Sequence, residues 1–139
     1  MLSRVLVAMN DSEMARQALR YALEAYPGAE ITVLSVVGVP SAMWGEATAI
    51  ALASDVERSA DEHAQGVLDT AREIAAEYDV EIETAVEVGP PVPAILDWAE
   101  GFDTIVVGSH AGAISERLFV GNVAEALVHR SPIPVTVVR

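Results

Sequence analysis

Three short, almost wholly apolar runs, Val5–Met9, Ile31–Val37 and Thr104–Gly108, are separated by stretches in which apolar residues return every three or four positions. A strand reads as continuously apolar only when both of its faces are covered, which in practice means a parallel sheet flanked by helices. The intervening stretches supply those helices. Ala15, Ala18, Leu19, Ala22, Leu23 and Tyr26 form one stripe, opened by the turn and cap residues Asn10-Asp11-Ser12 and stopped by Pro27-Gly28. After a loop from Gly38 to Gly45 that holds Pro40 and Trp44, the spacing predicts a long helix from about Ile50 to Tyr78. Its buried stripe is Val56, Ala60, Ala64, Val67, Leu68, Ala71, Ile74, Ala75 and Tyr78. Val80, Ile82, Thr84, Val86 and Val88 alternate with Glu81, Glu83, Ala85 and Glu87, the period of an edge strand with one wet face.

Gly89-Pro90-Pro91 turns the chain into a short helix carrying Ile95, Leu96 and Ala99. Leu118, Val123, Ala124, Leu127 and Val128 mark the last helix, and Ile133 to Val138 the final strand, where Pro134 favours a sheet edge. Strands alternate with helices and no hairpin signal joins neighbours, so the expected fold is an α/β, Rossmann-like open sheet of five parallel strands. The most apolar strands belong at the centre, which predicts the order 3-2-1-4-5 with helices on both faces. Ligands in such sheets bind beyond the carboxyl ends of the strands, at the point where the strand order reverses. That point lies between the first and fourth strands, with Met9–Ser12 opposite Gly108–Gly112.

With 139 residues, the chain is read as one domain, residues 1–139. Cysteine is absent, which removes disulfides, thiolate metal sites and cysteine nucleophiles. Met1-Leu2-Ser3-Arg4 leads straight into the first apolar run, with no leader pattern and no span-length apolar stretch, so a cytoplasmic location is expected. The formal net charge is −13 and every cation is arginine, a balance that argues against nucleic acid or an anionic membrane as partner. A lysine-free acidic surface also fits a protein adapted to high salt, the alternative being an acidic protein of an ordinary cytoplasm. Neither Gly-x-Gly-x-x-Gly, a P-loop nor a Gly-x-Ser-x-Gly elbow occurs, and His63, His110 and His129 lack metal-ligand spacing. His129 and Arg130 suit a helix C-terminus, while Asp11 and Glu13 suit a helix start.

The block Thr104-Ile105-Val106-Val107-Gly108-Ser109-His110-Ala111-Gly112 is a buried strand that ends in Gly-Ser and enters a glycine-bearing loop. Such a junction lets backbone N–H groups approach an anion. Together with Asn10-Asp11-Ser12-Glu13 after the first strand, the Gly89-x-Pro91 turn and the ending Ser131-Pro132-Ile133-Pro134-Val135-Thr136-Val137-Val138, it resembles the universal stress protein family along essentially the whole chain. The resemblance implies the same five-stranded fold, of the adenine nucleotide alpha-hydrolase-like kind. It also implies a homodimer paired through the last strand, here Ile133 to Val138. Many members bind ATP through a pattern Gly-x2-Gly-x9-Gly-Ser/Thr, whereas this chain reads Gly108, Ala111, Gly121 and Asn122 at those positions. If position 111 requires a positive φ, alanine costs roughly 1–2 kcal/mol there; Gly112 follows one residue late.

Carried onto this chain, the resemblance places Val7 to Ser12, with Ala8, Met9, Asn10 and Ser12 among them, and Val36 to Val37 around an adenosine. It places Gly108, Ser109, His110, Ala111, Gly112, Gly121 and Asn122 around the phosphates, with a magnesium ion. Asn10 stands where many nucleotide-binding members carry an acidic residue, and an asparagine oxygen can accept from a ribose hydroxyl or an adenine amine. Two readings stand side by side: a regulatory module that binds ATP in the cleft, and a nucleotide-free dimeric interaction module of the same fold. In the second, Gly108 and Gly121 serve close packing of strand against helix. The chain is read as no enzyme, with slow ATP hydrolysis as a third, weaker possibility.

Overall fold

The computed structural model describes residues 3–37, 45–109 and 122–139, with 45–60 and 122 described by backbone alone. The elements run β1 (Arg4–Ala8), α1 (Glu13–Ala25), β2 (Glu30–Val37), α2 (Gly45–Glu77), β3 (Glu83–Val88), α3 (Pro91–Ala99), β4 (Thr104–Gly108), α4 (Asn122–Arg130) and β5 (Val135–Val138). The sheet is five-stranded, all parallel, in the order β3-β2-β1-β4-β5. The strand order reverses between β1 and β4, where Val5, Leu6 and Val7 lie opposite Thr104, Ile105 and Val106.

The pleat sorts the apolar strands into two cores. Val5, Val7, Ile31, Val33 and Val106 pack against α1 and α2, through Ala18, Leu19, Ala22, Leu68, Ala71 and Ile74 among others. Leu6, Leu34, Ile105 and Val107 pack the other way, against Ile95 and Ala99 of α3 and Ala124 and Leu127 of α4. Continuous apolar runs were needed because both faces of these strands are covered. Within α4, Val123 is half-buried and Val128 is largely exposed, so Val128 falls off the stripe assigned to it. Among the described residues no helix is long and apolar enough to cross a membrane.

Element boundaries move at three places. Helix α2 starts at Gly45 rather than Ile50, because the Glu46-Ala47-Thr48-Ala49 turn favours helix without belonging to the apolar stripe. Strand β3 starts at Glu83 rather than Val80, because the residues before it finish a helix cap. Asp79 adopts φ 55°, Asp79 N donates to Ala76 O and Val80 N donates to Ala75 O. These are the 5→2 and 6→1 bonds of a Schellman motif, with aspartate where glycine is usual. Strand β5 starts at Val135 rather than Ile133. Ser131 holds the preceding turn through Ile133 N→Ser131 Oγ at 3.1 Å and Ser131 Oγ→Ile133 O at 2.7 Å. Pro134 sits just before the edge strand, and its carbonyl accepts from both Ile105 N and Thr104 Oγ1.

Asp103 ties the entrances of β1 and β4 together. Its Oδ2 accepts from Ser3 N and Arg4 N, each at 2.8 Å, while its own N–H donates to Arg4 O. Those bonds, chiefly from Arg4 and then Ser3, hold its carboxyl below the ordinary aspartate value of 3.8. Arg4 completes the corner by donating to Gly101 O at 2.7 Å and lying 4.6 Å over the Phe102 ring. This corner is at the opposite end of the strands from the switch point and sets how β1 and β4 run toward it.

Candidate functional site

At the carboxyl ends of β1 and β4 the strands part and leave a cleft of about 180 Å³. Its floor is Ala8, Met9 and Asn10 from the end of β1, with Val107 and Gly108 from β4. Ser12 and Ala15 of the α1 start, Leu34 and Val36 of β2, Pro91 and Ile95 of α3, and Val123 of α4 form the walls. The volume is below the roughly 300–1,000 Å³ that holds a whole drug-sized ligand. It matches the size of one flat ring system.

Among the described residues two polar side chains line this cleft, and both are tied to the β1–α1 turn. Ser12 is the α1 N-cap: its Oγ accepts from Ala15 N at 3.1 Å. Asn10 Oδ1 accepts from Ser12 N at 2.9 Å, an Asx turn that shapes the hand-over from strand to helix. A backbone N–H can bond only the oxygen of a carboxamide, so this contact also decides which way the amide points. The oxygen that was expected to accept from a ligand keeps a second lone pair, and Asn10 Nδ2 donates to no described residue. Asp11 turns away from the cleft. Its carboxylate lies 3.7 Å from His63 Nε2 of α2, and its carbonyl accepts from Arg16. Glu13 bonds Arg16 and Gln17 along α1, and those bonds, Arg16's first, hold its carboxyl below the usual glutamate range.

Gly108 has a structural requirement of its own. A Cβ there would come within 2.7 Å of Met14 O and 2.8 Å of Met14 C, so the first turn of α1 rests directly on the β4 backbone. Ser109 N donates to Val138 O at 2.8 Å, which takes that N–H out of any phosphate loop. Asn122 opens α4 and Val123 lines the cleft, so the start of that helix lies beside the site.

Of the residues anticipated for a ligand, Ala8, Met9, Asn10, Ser12 and Gly108 come together around one cavity. Val37 does not line it: the pleat presents Leu34 and Val36 to the cleft and turns Val37 to the opposite face. His110, Ala111, Gly112 and Gly121 lie outside the described residues, as does Trp44, and so does the side chain of Asn122. Sequence reasoning did not single out Leu34, Pro91, Ile95, Val107 or Val123 as site residues. Their apolar character signalled core, and only their position at strand and helix ends marks them as walls. Among the described residues no group of three His, Cys, Asp or Glu side chains could hold a metal ion.

Comparison with known proteins agrees on one family. The family model described as "Universal stress protein family" matches residues 1–139. The universal stress protein YxiE of Bacillus subtilis (strain 168) is 29% identical over 148 aligned positions, covering 100% of both chains. The solved structure of the universal stress protein UspA from Lactobacillus plantarum superposes with a TM-score of 0.81 at 24% identity, covering 99% of this chain and 98% of that one. A universal stress protein crystallised in complex with cAMP gives a TM-score of 0.73 at 23% identity, covering 99% of this chain and 97% of that one.

Proposed function

Because the chain belongs to the universal stress protein family, we propose that it is a regulatory module whose switch-point cleft binds an adenine nucleotide. The observation that carries this reading is the convergence of Ala8, Met9, Asn10, Ser12 and Gly108, distant in sequence, on one apolar cleft beside a helix N-terminus. The apolar walls suit a purine ring, and the start of α4 suits a phosphate. A family member of the same fold crystallised with cAMP supports the choice of an adenine nucleotide. With ATP, magnesium would accompany the phosphates; the segment from His110 to Gly121 would carry them. The described lining offers an amide and a capping hydroxyl, and no carboxylate or imidazole as a general base, so the reading is of binding rather than catalysis. Ligand state would be passed to a homodimer formed through the free edge of β5, which is half-buried in the single chain.

Titration calorimetry of AMP, cAMP and Mg-ATP against the folded protein at high salt tests the reading. Saturable binding of one nucleotide per chain supports it, and Ala111→Gly should then tighten Mg-ATP. No heat at millimolar nucleotide, with the fold intact, would sink it. A second reading, the nucleotide-free dimeric module, is favoured by one observation: contact with Met14 already requires glycine at 108, with or without a phosphate nearby.

A further inference from the structure

We propose that the open edge of β3, together with the groove between β3 and α3, docks an extended segment of a partner protein that carries arginine or lysine. β3 ends the sheet, and among the described residues it pairs with β2 alone. Gly89 N donates to Val37 O, and along a parallel ladder successive residues turn their N–H and C=O groups to opposite sides. The backbone groups of Thr84, Val86 and Val88 therefore face outward, a row that can receive another strand. Few of the usual devices blunt this edge. The register from Thr32 opposite Glu83 to Val37 opposite Val88 runs without a bulge, and the strand holds no proline and no lysine. At the other edge, β5 is four residues long and follows Pro134, whereas β3 has six residues.

The surroundings of the edge decide the occupant. A groove of about 220 Å³ lies along the end of β3, walled by Val88, Pro93 and Trp98 and bearing the carboxylates of Glu87 and Asp97. Val88 is 54% exposed, so the strand ends on an apolar side chain in water. Trp98 is half-buried, and its Nε1 donates to Glu87 Oε1 at 3.0 Å, which holds that carboxylate against the indole. The described lining of the groove contains no cation. Arg72 reaches β3 from α2, but it is engaged with Thr84 Oγ1 and Asp69, each at 2.8 Å. Backbone pairing gives affinity for any strand, and the carboxylates choose among strands. A guanidinium or an ammonium would meet Glu87 and Asp97, and a guanidinium also suits an indole. A second copy of this chain is a poor occupant. Pairing β3 with β3 brings Glu83 and Glu87 of two chains together, and each chain carries a net charge of −13. Glu87, Val88, Asp97 and Trp98 do not line the switch-point cleft, so docking here is separable from nucleotide binding.

Fluorescence anisotropy of short labelled peptides tests this at about 0.1 M salt, where surface charges still act over about 10 Å. A peptide that alternates arginine and valine should bind about fivefold or more tightly than one of the same composition with arginines and valines in separate blocks, the size of one backbone hydrogen bond. A peptide that alternates glutamate and valine should not bind. Glu87→Gln and Asp97→Asn should each weaken the alternating arginine peptide about two- to fivefold, as loss of an exposed ion pair does. Val88→Pro leaves the β2 ladder intact, because residue 88 points its N–H outward, and should weaken that peptide about tenfold or more. Urea midpoints check that each variant folds; should Val88→Pro lose the fold, peptide order and the two carboxylate variants carry the test. Equal binding of the two arginine peptides, or undiminished binding by every folded variant, would overturn the proposal and leave only the general pull of an acidic surface. Self-association of the protein that Val88→Pro abolishes would also overturn it, by giving the edge to a second copy.

Discussion

Gly108 shows how one position can carry both packing and a site. Its missing side chain lets the carbonyl of Met14 approach to 2.7 Å of where a Cβ would stand, which seats the α1 start over the end of β4. Gly108→Ala must push the first turn of α1 outward, and with it Ser12 and the Asx turn of Asn10. Overpacking of this kind costs roughly 1–3 kcal/mol, so chemical denaturation should show a loss of that size, accompanied by weaker nucleotide binding. An unchanged denaturation midpoint would mean that α1 yields freely. Asp79 is the opposite case. It takes the left-handed conformation at the C-terminus of α2, φ 55°, where glycine carries no Cβ penalty. Asp79→Gly keeps both Schellman bonds and should stabilise the fold by about 0.5–1 kcal/mol, less than the full left-handed penalty because aspartate tolerates that region. A destabilised variant in the same denaturation assay would show that the aspartate side chain contributes more than its backbone strain removes.

Between elements, the corner made by Asp103 is the clearest polar fastening of the sheet. One carboxylate oxygen receives the two N–H groups that open β1, so the β1–β4 pair begins in register at the end remote from the cleft. Its folded pKa is depressed below 3.8, chiefly by the Arg4 N–H and then by that of Ser3. A depressed carboxylate adds stability that is complete above its unfolded value and is lost as pH falls through the folded one. Asp103→Asn should therefore be less stable than the parent at neutral pH, with the gap narrowing as pH drops below about 4. Urea midpoints of both proteins at several pH values would check this. A gap that stays constant into the acid range would assign the effect to shape rather than to charge. The helices are joined more loosely, through surface contacts such as Arg20 with Glu77 at 2.6 Å and the Tyr78 hydroxyl with Glu24 at 2.9 Å. Exposed pairs of this kind hold little free energy, and the two apolar cores hold the layers together.

The molecule as a whole carries a formal net charge of −13 on 139 residues. Self-repulsion of that order opposes compaction and is relieved by screening, as the Debye length falls from about 10 Å at 0.1 M salt to about 3 Å at 1 M. The melting temperature should rise by several degrees between those concentrations, on the order of the 2–8 °C that accompanies 1 kcal/mol in a domain of this size. A protein adapted to saturated salt should go on gaining above 1 M, whereas one from an ordinary cytoplasm should level off. A melting temperature that is flat or falls from 0.1 M upward would show that the acidic surface is already well spaced. The same field makes polyanionic partners unfavourable and leaves the cleft, whose described lining contains no acidic side chain, as a rare neutral place for an anionic ligand.

Strand order and the position of the cleft could be read before any coordinates. Burial on two faces writes itself as Val5–Ala8 or Thr104–Val107, and crossover handedness then leaves few arrangements; the alternation around β3 marked a sheet edge, but Ala85 and Val86 pack on opposite faces and Val88 is exposed, so that strand has no single wet face. Local grammar was enough because each of those signals depends on neighbours a few residues away. The pleat that keeps Val36 at the wall and turns Val37 away from it, the late start of β3 behind the Asp79 cap, and the entry of Pro91 and Ile95 into the site were not readable in that way. Nor were the press of Met14 on Gly108 and the capture of the Asn10 oxygen by Ser12 N–H. Each of these depends on a distance or a direction of a few tenths of an ångström, which composition and periodicity do not encode. Folding alone brings those groups together.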